Sequence, residues 1–161
     1  MSVTIDGIFT AETPELLREV RGLFKEYASA LGSDLNLQDF AHEMAGLPGL
    51  YAAPGGVLLV AHVSGQPAGC VGVRRFEDDV CEMRRHFVRH SFRNVGLGRR
   101  LAMASLEHAR ALGYRRMRLD TLPWMRQAVA LYESLGFVTV PPYRFNPVAG
   151  AVFLEKELER P

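Results

Sequence analysis

Phe87-Val88-Arg89-His90-Ser91-Phe92-Arg93-Asn94-Val95-Gly96-Leu97-Gly98-Arg99-Arg100-Leu101 decides how this chain of 161 residues is read. An apolar strand runs into Arg-x-x-Gly-x-Gly, and a helix is predicted to begin there. Two glycines within three residues remove the β-carbons that would keep a ligand away from the backbone. The helix behind them points unpaired N–H groups and the positive end of its dipole along the same approach. Such a place suits a phosphate or pyrophosphate. Arginines at 89, 93, 99 and 100 add positive charge around it.

The order of the glycines separates this loop from two commoner phosphate cradles. A dinucleotide fold uses Gly-x-Gly-x-x-Gly after its first strand, with an acidic residue about 20 residues on. Here the order is Arg-x-x-Gly-x-Gly and the loop falls late in the chain. A P-loop closes on Gly-Lys-Ser/Thr, whereas this loop closes on Gly98-Arg99-Arg100. Without a ligand, the same residues would make a glycine-rich helix cap with surface arginines. The arrangement resembles the coenzyme A loop of the GNAT superfamily of N-acetyltransferases.

The flanks carry the same resemblance. Upstream, Gly69-Cys70-Val71-Gly72-Val73 and Cys81-Glu82-Met83-Arg84-Arg85-His86-Phe87-Val88 read as a hairpin entering the loop. Downstream, Gly113-Tyr114-Arg115-Arg116-Met117-Arg118-Leu119-Asp120-Thr121 reads as a helix stop and a strand. Leu131-Tyr132-Glu133-Ser134-Leu135-Gly136-Phe137 is similar to the superfamily's closing Leu-Tyr-x-x-x-Gly-Phe helix. The likeness covers about residues 57 to 158, and more loosely the helices before them.

Composition sets the frame. The length suits one domain, taken as residues 1–161, with a substantial core. Hydrophobic residues at 48% and charged residues at 23% are ordinary for a globular chain. A net charge of +1 gives no bulk attraction to nucleic acid or an anionic membrane, so neither is expected as a partner. The two cysteines, Cys70 and Cys81, fall in predicted strands and form no Cys-x-x-Cys pair. With no signal peptide and no long apolar run, a cytoplasmic protein with reduced thiols is expected. His86 and His90 are four apart, but 86 ends a strand and 90 lies beyond it, so no metal site is expected.

Along the chain, residues 3–8 alternate as a half-buried strand does. Thr13 and Pro14 start a helix that Gly32 stops, and a second helix runs from Leu37 to Ala45. Strands follow at residues 57–61, after the turn at 64–67, and at 81–88. Pro123 is placed in the first turn of the last helix. The order is strand, two helices, three strands, helix, strand, helix, two strands. That is a mixed α/β (α+β) domain, and the resemblance implies a mostly antiparallel sheet with a splayed central strand pair and flanking helices.

The resemblance implies acyl transfer from the thioester of acetyl-CoA to a primary amine by direct attack. Such a reaction needs a held donor, a polarised carbonyl, a neutral amine and a proton for the departing sulfur. It places Phe87 and Val88 along the donor's pantetheine arm, with the Val88 N–H toward the thioester carbonyl. It places the pyrophosphate on Arg93, Asn94, Val95, Gly96, Leu97, Gly98 and Arg99. Glu82 is the candidate base, sharing a strand face with His86 and Val88 if the period of two holds. The alternative for Glu82 is an ion pair with Arg84 or a neighbouring strand. His86 ranks second as a base. Tyr132 is the candidate acid, since its phenol is protonated at neutral pH; the alternative is an aromatic in the helix–sheet interface. Many relatives carry an asparagine where Met125 stands, and Met125 cannot make that hydrogen bond.

For the acceptor, the resemblance points to the N-terminal helices and the loop before the last strand. Phe24, Tyr27, Gln38, Phe40, Tyr143 and Asn146 are the candidates, each with a core alternative. They suit a small amine or an amino-acid-like acceptor. A homodimer is left open. The rival from another class is a non-catalytic acyl-CoA-binding sensor or partner domain.

Overall fold

The computed structural model describes residues 4–32 and 37–159, with the side chains of Leu37 and Gln38 excepted. Strand β1 (Ile5–Thr10) leads into helix α1 (Pro14–Leu31), and α2 (Leu37–Ala45) follows. The Thr13 hydroxyl accepts the Leu16 N–H at 3.2 Å, capping α1, and Gly32 ends it at φ +58°. Strands β2 (Val57–Val63), β3 (Gln66–Glu77) and β4 (Val80–Val88) form a meander. Then come α3 (Leu97–Ala111), β5 (Arg116–Thr121), α4 (Arg126–Ser134), β6 (Val138–Val140) and β7 (Val152–Glu157). This is the expected order of elements. Pro123 is a correction: it lies in the turn ahead of α4, three residues before the helix starts at Arg126.

One seven-stranded sheet runs β1-β2-β3-β4-β5-β7-β6, antiparallel at every step except β4/β5. Helices cover both faces, so β2 is buried on both sides over residues 57–61, which read as an unbroken apolar run. One core lies under α3 and α4, built on Leu59, Val71, Leu97, Leu101, Leu119 and Leu154. The other lies under α1 and α2, around Val20, Leu23, Phe24, Leu58 and Val60. Cys70 and Cys81 are free thiols, one in each core. Among the described residues no helix is long and apolar enough to cross a membrane.

Two features of β4 position everything that follows. First, β4 and β5 pair only through Val80–Glu82 and Arg116–Arg118, and then part. Second, Arg85 takes φ +56°, and β4 advances three residues, Arg84 to Phe87, while β3 advances two, Gly72 to Cys70. That is a β-bulge, and an extra residue inverts the alternation of faces beyond it. Glu82, Arg84 and Arg85 therefore face the α1/α2 side, whereas His86 faces α3 and α4. The expected sharing of one face by Glu82, His86 and Val88 is corrected: the bulge puts Glu82 opposite to the other two.

Candidate active site

A cleft of about 990 Å³ runs through the gap where β4 and β5 part. On the α3/α4 side its wall is the loop and the start of α3. Asn94 and Gly96 both have positive φ, at 68° and 78°, which turns successive N–H groups inward. The first backbone hydrogen bond into α3 is Arg100 N–H to the Gly96 carbonyl. Among the described residues, the N–H groups of residues 94–99 have no partner. A β-carbon on Gly98 would stand 3.8 to 3.9 Å from Val88, His86 and Leu131, so the glycine keeps the cleft open there without being needed for packing.

The strand edge is equally available. The Arg89 N–H donates to the Ala68 carbonyl on β3. Peptide directions alternate along a strand, so the Val88 N–H points the other way, into the gap. Of the expected cofactor residues, Phe87, Val88, Arg93, Asn94, Gly96, Leu97 and Gly98 line the cleft. Val95 packs on the core instead. Arg99 reaches the Ser134 hydroxyl at 2.9 Å, away from the cleft wall. Met125 lines the cleft, its sulfur accepting from the Thr121 hydroxyl at 3.4 Å.

Tyr132 projects from α4 into the same wall and is 5% exposed. Its hydroxyl lies 2.7 Å from His86 Nδ1, and His86 Nε2 lies 2.8 Å from the Gly98 carbonyl. A carbonyl only accepts, so Nε2 carries the hydrogen, Nδ1 is bare, and the Tyr132 O–H donates to it. Burial lowers the His86 pKa to about 4 and raises that of Tyr132 above the usual phenol range. The pair is thus neutral across the physiological range. Sequence reading placed His86 as a second base; the structure places it as the acceptor that holds Tyr132.

This has a measurable consequence. Burial holds the folded pKa of His86 below the ordinary histidine value of 6.5, so on acidification the unfolded chain takes up the proton first. Stability is unaffected above pH 6.5 and falls between there and about 4. His86→Gln can accept from Tyr132 and donate to Gly98 without titrating. Its circular-dichroism acid-unfolding midpoint should lie below that of the wild type, with equal stability at pH 8. An unchanged midpoint would contradict the neutral assignment.

Across the gap, on the α1/α2 side, the cleft is polar. Asp120, two residues past the last residue of β5 that pairs with β4, lines it. Its oxygens accept from Arg144 at 2.7 Å and Asn146 at 2.8 Å. Tyr27 lines the same half, with its ring edge-on to Phe87. Phe24, Phe40 and Tyr143, also expected at the acceptor, are elsewhere. Phe24 and Phe40 are buried in the core under α1, Phe40 beneath the Arg85 guanidinium. Tyr143 packs between Phe76 and Phe153. Gln38 has its side chain outside the described residues. Arg84, Arg85, Asp120 and Arg144 were missed, because strand arginines and carboxylates read from sequence as solvated ion pairs.

Glu82 is 1% exposed and does not line the cleft. Arg74 and Arg84 each bond its Oε1 at 3.4 Å, the Tyr143 hydroxyl donates to Oε2 at 3.3 Å, and Arg144 Nε stands 3.1 Å from Oε2. It is the hub of an arginine cluster behind the wall. Glu82→Gln should cost about 3 kcal/mol, the low end for breaking a buried pair, since the arginines keep some contact with water. A denaturant midpoint equal to that of the wild type would show that the cluster is not held by this charge.

The parted strands, the loop of unpaired N–H groups and the buried tyrosine–histidine pair line one cleft that opens to both faces of the sheet. The acetyltransferase (GNAT) family matches residues 17–137, and the chain belongs to that family. An uncharacterised N-acetyltransferase of Schizosaccharomyces pombe is 36% identical over 156 residues, 96% of each chain. An uncharacterised N-acetyltransferase of Escherichia coli is 30% identical over 129 residues, 78% of this chain and 76% of that one. The crystal structure of an acetyltransferase from Streptococcus agalactiae superposes with a TM-score of 0.79 at 21% identity, over 94% of this chain and 98% of the other.

Proposed function

We propose that this protein transfers an acetyl group from acetyl-CoA to the primary amine of a small molecule. One observation carries the reading: Asn94, Gly96, Leu97 and Gly98 with their unpaired N–H groups, Tyr132 and Asp120 all line one cleft that threads the sheet. Acetyl-CoA would supply an activated acyl thioester. The residues present fit it: N–H groups 94–99 suit its pyrophosphate, Gly98 leaves room, and Val88 offers a donor at the open strand edge. The cleft volume, near the upper end of ordinary ligand sites, suits the donor arm together with a small acceptor.

Each residue then has a task. The Val88 N–H polarises the acyl carbonyl. Asp120 faces the acceptor half and takes the proton that the amine gives up. Glu82, behind the wall, orders the arginines rather than meeting the amine. Tyr132 gives its hydrogen to the leaving sulfur. His86 holds that hydrogen until negative charge develops, because a hydrogen bond to a charged acceptor is roughly twice as strong as one to a neutral acceptor. The relatives named N-acetyltransferases support an amine as the acceptor.

The test is thiol release from acetyl-CoA across an amine panel. Turnover with any amine supports the transferase. Tight acetyl-CoA binding without turnover would favour the sensor reading. Asp120→Asn should lower the rate most below the amine's own pKa and least above it, where the amine is already neutral. A pH–rate profile unchanged in shape and height would remove Asp120 from proton transfer.

A further inference from the structure

The polar half of the cleft and the wall behind it hold a cluster of partly buried charges. Four guanidiniums, those of Arg74, Arg84, Arg85 and Arg144, meet three carboxylates, those of Glu43, Glu82 and Asp120. Three of the arginines each meet two or more groups of the protein. Arg85 donates to Glu43 at 2.7 Å and lies over the Tyr27 and Phe40 rings. Arg144 donates to Asp120 and stands against Glu82. Arg74 bridges Glu82 and Glu43. Asp39, the fourth carboxylate of this wall, is exposed on α2 at the rim.

Arg84 differs. It lines the cleft with its side chain only 14% exposed, and its one hydrogen bond among the described residues is a 3.4 Å contact to Glu82. Glu82 already faces two other guanidiniums. A guanidinium has five N–H donors in a planar fork. Among the described residues the rest of that fork has no hydrogen-bond partner, and the side chain lines the cleft. A buried charge is costly unless paired, and the fork matches a carboxylate, which it binds through two parallel bonds. Across the same half, Asp120 supplies negative charge where a positively charged amine would enter.

We infer that the acceptor is a carboxylate-bearing primary amine, an amino acid or close analogue, whose carboxylate docks on Arg84 while its amine faces Asp120 and the strand gap. This rests on the proposed acetyl transfer but concerns a separate contact. It also accounts for the bulge: with φ +56° at Arg85, Arg84 and Arg85 lie on the same face of β4, where one binds the protein and the other is left for a ligand.

The experiment has two arms. In the first, N-acetyl amino acids and their N-acetyl carboxamides are titrated by calorimetry into the protein loaded with coenzyme A. In the second, thiol release is measured with the twenty amino acids, their carboxamides and their decarboxylated amines. The inference expects the carboxylate form to be preferred by at least roughly 100-fold in Kd and in kcat/KM. Arg84→Gln should bring that ratio close to one, with Arg84→Lys in between. The wild-type ratio needs no variant, so a misfolded Arg84→Gln does not spoil the test. Turnover that favours carboxamides or decarboxylated amines overturns the carboxylate anchor and leaves the transferase standing. Carboxylate-selective binding without turnover keeps the anchor and overturns the transferase. No carboxylate preference in either arm overturns the anchor.

Discussion

Tyr132→Phe should lower kcat by roughly 10- to 1,000-fold, in the range of a lost general acid. The ring stays in its pocket against Phe137 and His86, so packing is retained. What goes is one O–H, now donated to His86 Nδ1. His86 loses the hydrogen on its bare nitrogen, which costs about 1 kcal/mol of stability. Acetyl-CoA affinity should change by less than about tenfold, because a single neutral hydrogen bond is worth about 1 kcal/mol. A donor with a more acidic leaving thiol should recover much of the lost rate, since its sulfur needs the proton less. His86→Leu should mimic part of the defect by freeing the hydroxyl, and His86→Gln should restore it. Full activity in Tyr132→Phe would make Tyr132 a core aromatic only.

The second large effect concerns the loop. Gly98→Val should raise the Kd for acetyl-CoA by more than about 100-fold. The first atom of the new side chain would make ordinary contacts with Val88, His86 and Leu131, so the fold survives. The branched remainder would occupy the passage between strand edge and helix start. Gly96→Val acts differently. Nothing crowds a β-carbon there, but φ is +78°, a conformation that valine resists. The turn that aims the N–H groups inward would be lost. Calorimetry on both variants, with circular dichroism to confirm folding, checks the two mechanisms. Wild-type affinity in both would mean that the cradle is not where the ligand binds.

How far the sequence reached depends on how local each signal was. The loop and helix start were legible because glycines, arginines and the helix pattern lie within fifteen consecutive residues. The order of all eleven elements followed from periodicity and turn residues in the same way. Tyr132 was legible through the Leu-Tyr-x-x-x-Gly-Phe helix. The faces of β4 were not. Period-two counting assumes a regular strand, and nothing in Arg84-Arg85-His86 announces a residue at φ +56°. The bulge moved Glu82 behind the wall and turned His86 toward Tyr132. The acceptor half was the least legible part, being assembled from α1, α2, β4, β5 and the segment before β7. Its aromatic candidates split between core and cleft because burial of a ring looks alike in both; among the candidates with described side chains, Tyr27 and Asn146 line the cleft.

The most direct test of this account is a crystal structure of the protein with coenzyme A. The account predicts the pyrophosphate on the N–H groups of residues 94–99, the pantetheine arm along the open edge of β4, and the sulfur within hydrogen-bond reach of the Tyr132 hydroxyl. A coenzyme bound elsewhere, or a sulfur directed away from Tyr132, would contradict it.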